Sequence, residues 1–134
     1  MLDELIKAYA SQPVGKKIIE NPTIKHSEGN AICGDSIDIY LKIDNNDIIV
    51  DFWWDGEPKI TTVVGASILA EEIVGKNIDE VLNWSFDFFK ERGIEVSDRR
   101  KRSVVFPLVV TQNAIKKHKW IPPAQRSVVE DLIE

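Results

Sequence analysis

An α+β fold, with helices packed on one face of an antiparallel sheet, follows from three observations. Residues 36–43 and 48–54 alternate apolar and polar side chains as half-buried strands do. Between them, Asp44-Asn45-Asn46-Asp47 supplies residue types that tolerate the positive φ of a hairpin turn. After residue 66 the apolar spacing becomes helical. A run of strands followed by a run of helices is the α+β order.

Each element can be justified in turn. Leu2, Leu5, Ile6 and Tyr9 lie at helical spacing and predict a short amphipathic helix over residues 2–10. Pro13, Gly15, Pro22 and Gly29 then punctuate a stretch that reads as turns and loops. In the first strand Ile37, Ile39, Leu41 and Ile43 share one face; in the return strand Ile48, Val50, Phe52 and Trp54 do. Asp55-Gly56-Glu57-Pro58 is a second turn, and residues 59–64 read either as a third strand or as the approach to a helix. Ala66, Leu69, Ala70 and Ile73 predict that helix, with Gly75 as its left-handed terminal residue.

Asn77 and Glu80 have the spacing of a capping box, opening a helix that buries Ile78, Val81, Leu82, Ser85 and Phe89 and ends at Gly93. The basic run Arg99-Arg100-Lys101-Arg102 reads as a link. A further helix is expected to start near Phe106-Pro107, because proline is tolerated in a first turn. Its last turn carries Lys116, Lys117, His118 and Lys119, favourable charges at the negative end of the helix dipole. Pro122-Pro123 breaks the chain before a short final helix over residues 128–133.

The 134 residues suit one domain, and 43% hydrophobic content is enough to bury a core without disulfides or a structural metal. A net charge of −5 gives no general attraction to phosphate backbones or anionic lipid, which argues against nucleic acid. No apolar run approaches the roughly 20 residues of a membrane span. One cysteine, and acidic residues where a signal peptide would be basic, point to the cytoplasm.

Cys33-Gly34-Asp35 carries the most chemistry. A thiolate and a carboxylate flanking a glycine can bend toward one ion, whereas a lone cysteine is by default a small buried hydrophobe. His26 lies in the same stretch of chain, and its ordinary role would be that of a surface histidine. Trp53 and Trp54, adjacent on a strand, must face opposite ways, which leaves one of them to line a pocket or partner surface. The Arg99–Arg102 run reads by default as a solvated loop, with docking of an acidic partner as the alternative.

The segment Gly29-Asn30-Ala31-Ile32-Cys33-Gly34-Asp35-Ser36-Ile37-Asp38-Ile39-Tyr40-Leu41 resembles the first ligand motif of the IscU/NifU/SufU iron–sulfur cluster scaffold family. Asn21-Pro22, Ile48-Ile49-Val50-Asp51, the small-residue-rich stretch from Gly65 to Lys76, and Asn77-Ile78-Asp79-Glu80-Val81 are similar to family motifs in the same order. The resemblance implies a single domain over residues 1–134, with a three-stranded antiparallel sheet and helices on one face. It also implies an iron–sulfur cluster, iron or zinc as the bound group, and a cysteine desulfurase or other assembly protein as partner.

Family members hold the group with three cysteines and an aspartate. Here Cys33 and Asp35 match two of those ligands, Lys59 stands at the second cysteine position, and the third falls near Ser103 or Pro107. Clusters need about four protein ligands, mostly thiolates. The expectation is therefore a degenerate or adaptor member of the family, not an enzyme, with no cofactor held by the isolated monomer and with Lys59 pairing with Asp35 in the vacated pocket. The alternative reuses the fold as a small-molecule binder or enzyme around Cys33, Asp35 and Lys59, with Trp54 and His26 nearby.

Overall fold

The computed structural model describes residues 2–30 and 35–133; Cys33 and Gly34 lie outside them. Helix α1 (Leu2–Ser11) leads into a three-stranded antiparallel sheet of β1 (Ile24–Asn30), β2 (Asp35–Ile43) and β3 (Ile49–Asp55), ordered β1-β2-β3. Helices α2 (Ile60–Glu72), α3 (Ile78–Val81), α4 (Phe86–Lys90) and α5 (Asp98–His118) follow, then a 3-10 turn (Pro123–Gln125) and α6 (Val129–Leu132). The expected fold class is the observed one: the helices cover the sheet face that carries Ile37, Ile39 and Leu41, all fully buried.

The hairpin forms as its turn chemistry dictates. Asp44 accepts through Oδ1 from the backbone N–H groups of Asn46 and Ile48, and Asp47 takes φ 62°. A register shift at Lys42/Ile43 then pairs Ile43 with Ile49. The irregularity changes which residues of β3 face inward. Ile49, Phe52 and Trp54 are buried, while Val50, expected on the core face, is half exposed.

Residues 24–30, read as loop, form an edge strand, with Ile24 opposite Leu41 and Glu28 opposite Ile37. Its alternation is present, but two of its inward positions are His26 and Glu28, so a search for apolar periodicity passes over it. The ambiguous segment 59–64 resolves as the start of α2. Within α2, Gly65 is a contact point: a Cβ there would lie 2.2 Å from the Val104 carbonyl oxygen, so only glycine lets α2 and α5 approach this closely.

The helix expected to open at Asn77 and end at Gly93 is divided. Asn77 caps α3 by accepting from the Asp79 N–H at 2.8 Å, and Ser85 caps α4 through the Asp87 N–H at 3.3 Å. Two carbonyls near the break, those of Val81 and Trp84, are satisfied by the buried Gln112 amide at 2.9 Å each. A cap residue in mid-pattern and a long-range amide thus replace a continuous hydrogen-bond ladder.

Helix α5 begins at Asp98, eight residues before Phe106, so the basic run is helical and Pro107 lies inside the helix. An interior proline costs about 3 kcal/mol. Burial offsets it: Val104, Val105, Leu108, Val109, Val110 and Ile115 are all in the core, each contributing roughly 1.5–3 kcal/mol. Among the described residues no helix is long and apolar enough to cross a membrane.

Candidate functional site

Five pieces of chain converge where the sheet meets the first turns of two helices: the ends of β1 and β2, the start of α2, the first half of α5, and the segment leading into α6. They enclose a cavity of about 590 Å³ bordered by Asp35, Lys59, Arg99, Arg102, Ser103 and Phe106, with Glu28, Arg126 and Glu130 completing its polar wall and Val109, Val128 and Val129 its apolar one.

Asp35 is nearly buried, at 7% exposure. Its Oδ1 accepts from the Lys59 backbone N–H at 2.9 Å and its Oδ2 from the Thr62 hydroxyl at 2.8 Å. The residue at the N-cap position, Lys59, makes no side-chain capping bond of its own. Asp35 therefore supplies the cap from the neighbouring strand, placing a carboxylate at the positive end of α2.

The expected Lys59–Asp35 ion pair is corrected in kind: the bond runs from the lysine backbone, and the Lys59 side chain is exposed at the cavity rim. Because Lys59 opens the helix, its N–H is the group aimed at the carboxylate.

Of the two positions offered for the third family ligand, Ser103 borders the cavity and Pro107 is buried in the α5 core. Phe106 borders it as well. Trp54, expected at the pocket, is instead fully buried, and its indole N–H donates to the Val14 carbonyl at 2.7 Å. The outward member of the pair is Trp53, opposite Tyr40 and under the Lys17 ammonium.

His26 is not a lone surface histidine. It faces inward beside Glu28, with Nε2 3.0 Å from Oε2. Glu28 also accepts from the Asn113 amide at 2.8 Å, and Asn113 binds the Ser127 backbone on both sides. Burial works to raise the Glu28 carboxyl, but the His26 and Asn113 hydrogen bonds, with the charges of His26 and Arg126, outweigh it and hold its pKa below the usual carboxylate value. Sequence reasoning missed Thr62, Glu28 and Asn113. The one signal for Glu28 was its alternation with Ile24 and His26.

Among the described residues, no group of three or more His, Cys, Asp or Glu side chains is placed to hold a metal ion. What borders the cavity is a carboxylate with both oxygens engaged, a hydroxyl, an Arg102–Glu130 ion pair of 2.7 Å, and the cations Lys59, Arg99 and Arg126.

A three-stranded antiparallel meander roofed by α2 and α5, with an aspartate at the head of β2 closing the start of α2, defines an α+β domain of the scaffold type. The sequence matches the NifU-like N terminal domain over residues 3–123, and the chain belongs to that family, the IscU/NifU/SufU iron–sulfur cluster assembly scaffolds.

It is 26% identical over 83 residues to the iron–sulfur cluster assembly scaffold protein IscU of Thermotoga maritima. It is 30% identical over 82 residues to the zinc-dependent sulfurtransferase SufU of Bacillus subtilis. These alignments take in 62% and 61% of this chain but only 58% and 54% of the two relatives.

The same fold occurs in the N-terminal NifU-like protein of Brucella abortus, with a TM-score of 0.68, 16% identity, and 89% and 94% of the two chains covered. It occurs also in the putative SUF-system scaffold of Fervidobacterium islandicum, with a TM-score of 0.56, 20% identity, and 98% and 95% covered.

Proposed function

We propose that this chain is a degenerate scaffold that serves iron–sulfur cluster assembly in the cytoplasm as an adaptor, without holding a [2Fe–2S] cluster by itself. The observation that carries this reading is the state of Asp35. Both of its oxygens are engaged in closing α2, and the residue that replaces the second thiolate donates one of those bonds. Asp35 would have to ligate through its remaining lone pairs while still holding the Lys59 N–H and the buried Thr62 hydroxyl, which ties its position to the start of α2. Lys59, Arg99 and Arg126 add positive charge where a cationic group would have to sit. The donor set does not fit a thiolate-held cluster.

The partner in this reading is a cysteine desulfurase or another assembly protein, as the family resemblance implies; the relatives' names state cluster assembly and sulfur transfer. Anaerobic reconstitution with iron and sulfide, followed by absorbance spectroscopy and metal analysis, tests it. The isolated chain should show no stoichiometric cluster and should not differ from a Cys33→Ser variant; a full-occupancy cluster lost in that variant would refute the proposal.

A second reading is favoured by the cavity itself, whose polar wall and apolar floor suit a small molecule near Asp35 and Lys59. It requires that carboxylate or phosphate compounds raise the melting temperature of the parent and not of Lys59→Glu. A flat response across such a panel removes it.

A further inference from the structure

Helix α5 ends in a six-residue hydrogen-bonded stop. The Ile121 N–H reaches the Lys116 carbonyl at 2.9 Å and the Trp120 N–H reaches that of Lys117 at 3.2 Å. This geometry demands a left-handed residue just past the cap, a place usually given to glycine. The chain does use glycine beyond α2 and α4, with Gly75 at φ 96° and Gly93 at φ 89°. Beyond α5 it uses Trp120, at φ 62°.

A tryptophan there crowds its own backbone, and packing does not compensate, because the side chain is 92% exposed. Local conformational preference and burial both disfavour this residue, a conflict expected where a side chain serves an external contact.

Trp120 stands at the edge of a groove of about 690 Å³ whose apolar parts come from Ile24, Ile121, Pro122 and Pro123. Among the described residues, the charged side chains bordering it are Lys116, Lys117 and Arg126, beside the imidazoles of His26 and His118, and no Asp or Glu lines it. On a chain of net charge −5 this is a local reversal of sign. Lys116 is engaged with the Gln125 carbonyl at 2.7 Å, which leaves Lys117 and Arg126 as the exposed cations at the groove.

We propose that this groove is a docking site for an acidic segment of another protein that presents an aromatic or aliphatic side chain to Trp120. The charge selects the partner's acidic residues and raises the encounter rate; the rigid indole supplies the anchor, as tryptophan does at interface hot spots. The site is distinct from the Asp35 cavity, although Arg126 borders both.

The test is a titration of the ¹⁵N-labelled chain with the peptide Asp-Phe-Asp-Leu-Asp-Phe-Asp, against Lys-Phe-Lys-Leu-Lys-Phe-Lys as control. The Trp120 indole N–H resonance, assigned by its loss in Trp120→Gly, should shift with the acidic peptide and not with the basic one. Trp120→Gly and Lys117→Glu should each weaken binding by about tenfold or more. Because glycine suits the left-handed position, Trp120→Gly must be at least as stable as the parent, so that lost binding cannot be ascribed to lost folding.

No response to the acidic peptide, or an equal response to the basic one, overturns the proposal. So does a Trp120 shift that depends on protein concentration alone, which would make a second copy the occupant. Free citrate reproducing the shift would assign the groove to a small anion and overturn it equally.

Discussion

Replacing Asp35 tests the observation on which the functional reading rests. In Asp35→Ala, the N–H of Lys59 loses its acceptor and α2 loses its cap, a change that typically costs about 1 kcal/mol. The Thr62 hydroxyl, at 0% exposure, is also left without a partner, at roughly 1–3 kcal/mol. The sum is about 2–4 kcal/mol, a large share of the ~5–15 kcal/mol that holds a domain together.

Asp35→Asn keeps an acceptor for Lys59, and the Thr62 hydroxyl can turn to accept from the new amide. Its cost should be confined to the lost charge at the helix start, about 0.3–1 kcal/mol. Urea denaturation of the parent, the two variants, Thr62→Val and the Asp35→Ala/Thr62→Val pair measures both terms, with the double-mutant cycle isolating the hydroxyl. If Asp35→Ala unfolds within about 0.5 kcal/mol of the parent, as a surface change would, the carboxylate is not committed to the helix. Its engagement at the helix start would then place no constraint on ligation, and the case against cluster binding would rest on the donor count alone.

Three further outcomes follow from the same packing. Glu28 has a folded pKa below its unfolded one, so the stability it adds is present above the ordinary glutamate range. That stability drains as pH falls through the folded value; Glu28→Gln should flatten the acid limb of a stability-versus-pH curve, costing most near neutral pH and least at acid pH, where Glu28 itself is protonated. Gly65→Ala should destabilise by about 1–3 kcal/mol in urea, because its Cβ would collide with the Val104 carbonyl and force α2 from α5. Trp120→Gly should gain between about 0 and about 1.6 kcal/mol, the ~1–2 kcal/mol of relieved left-handed strain less the ~0.4–1 kcal/mol of added unfolded-chain freedom, read from the same denaturation curves.

The hairpin, the left-handed Gly75 and Gly93, the caps at Asn77 and the cation-rich end of α5 were legible because each follows from neighbours within a turn or two of chain. Family likeness then placed Asp35 and Lys59 in one site, and the structure brings them together. What stayed hidden has a common cause: it depends on groups far apart in sequence. Strand β1 escaped notice because its inward His26 and Glu28 are polar, and they are tolerable inside only because Asn113 and the segment near Ser127 meet them.

The start of α5 escaped because the local rule against Pro107 is outweighed by a core assembled from every other element. For the family's ligand positions, sequence alone determined which residue types were available: a thiol at Cys33, a carboxylate at Asp35, and Lys59 where a second thiol would be. Tertiary structure decided that the carboxylate closes a helix through the lysine's backbone rather than its charge. A chain end of β2 and the first turn of α2 must be packed together before either oxygen of Asp35 has a donor to accept from, and no local pattern of residues encodes that meeting.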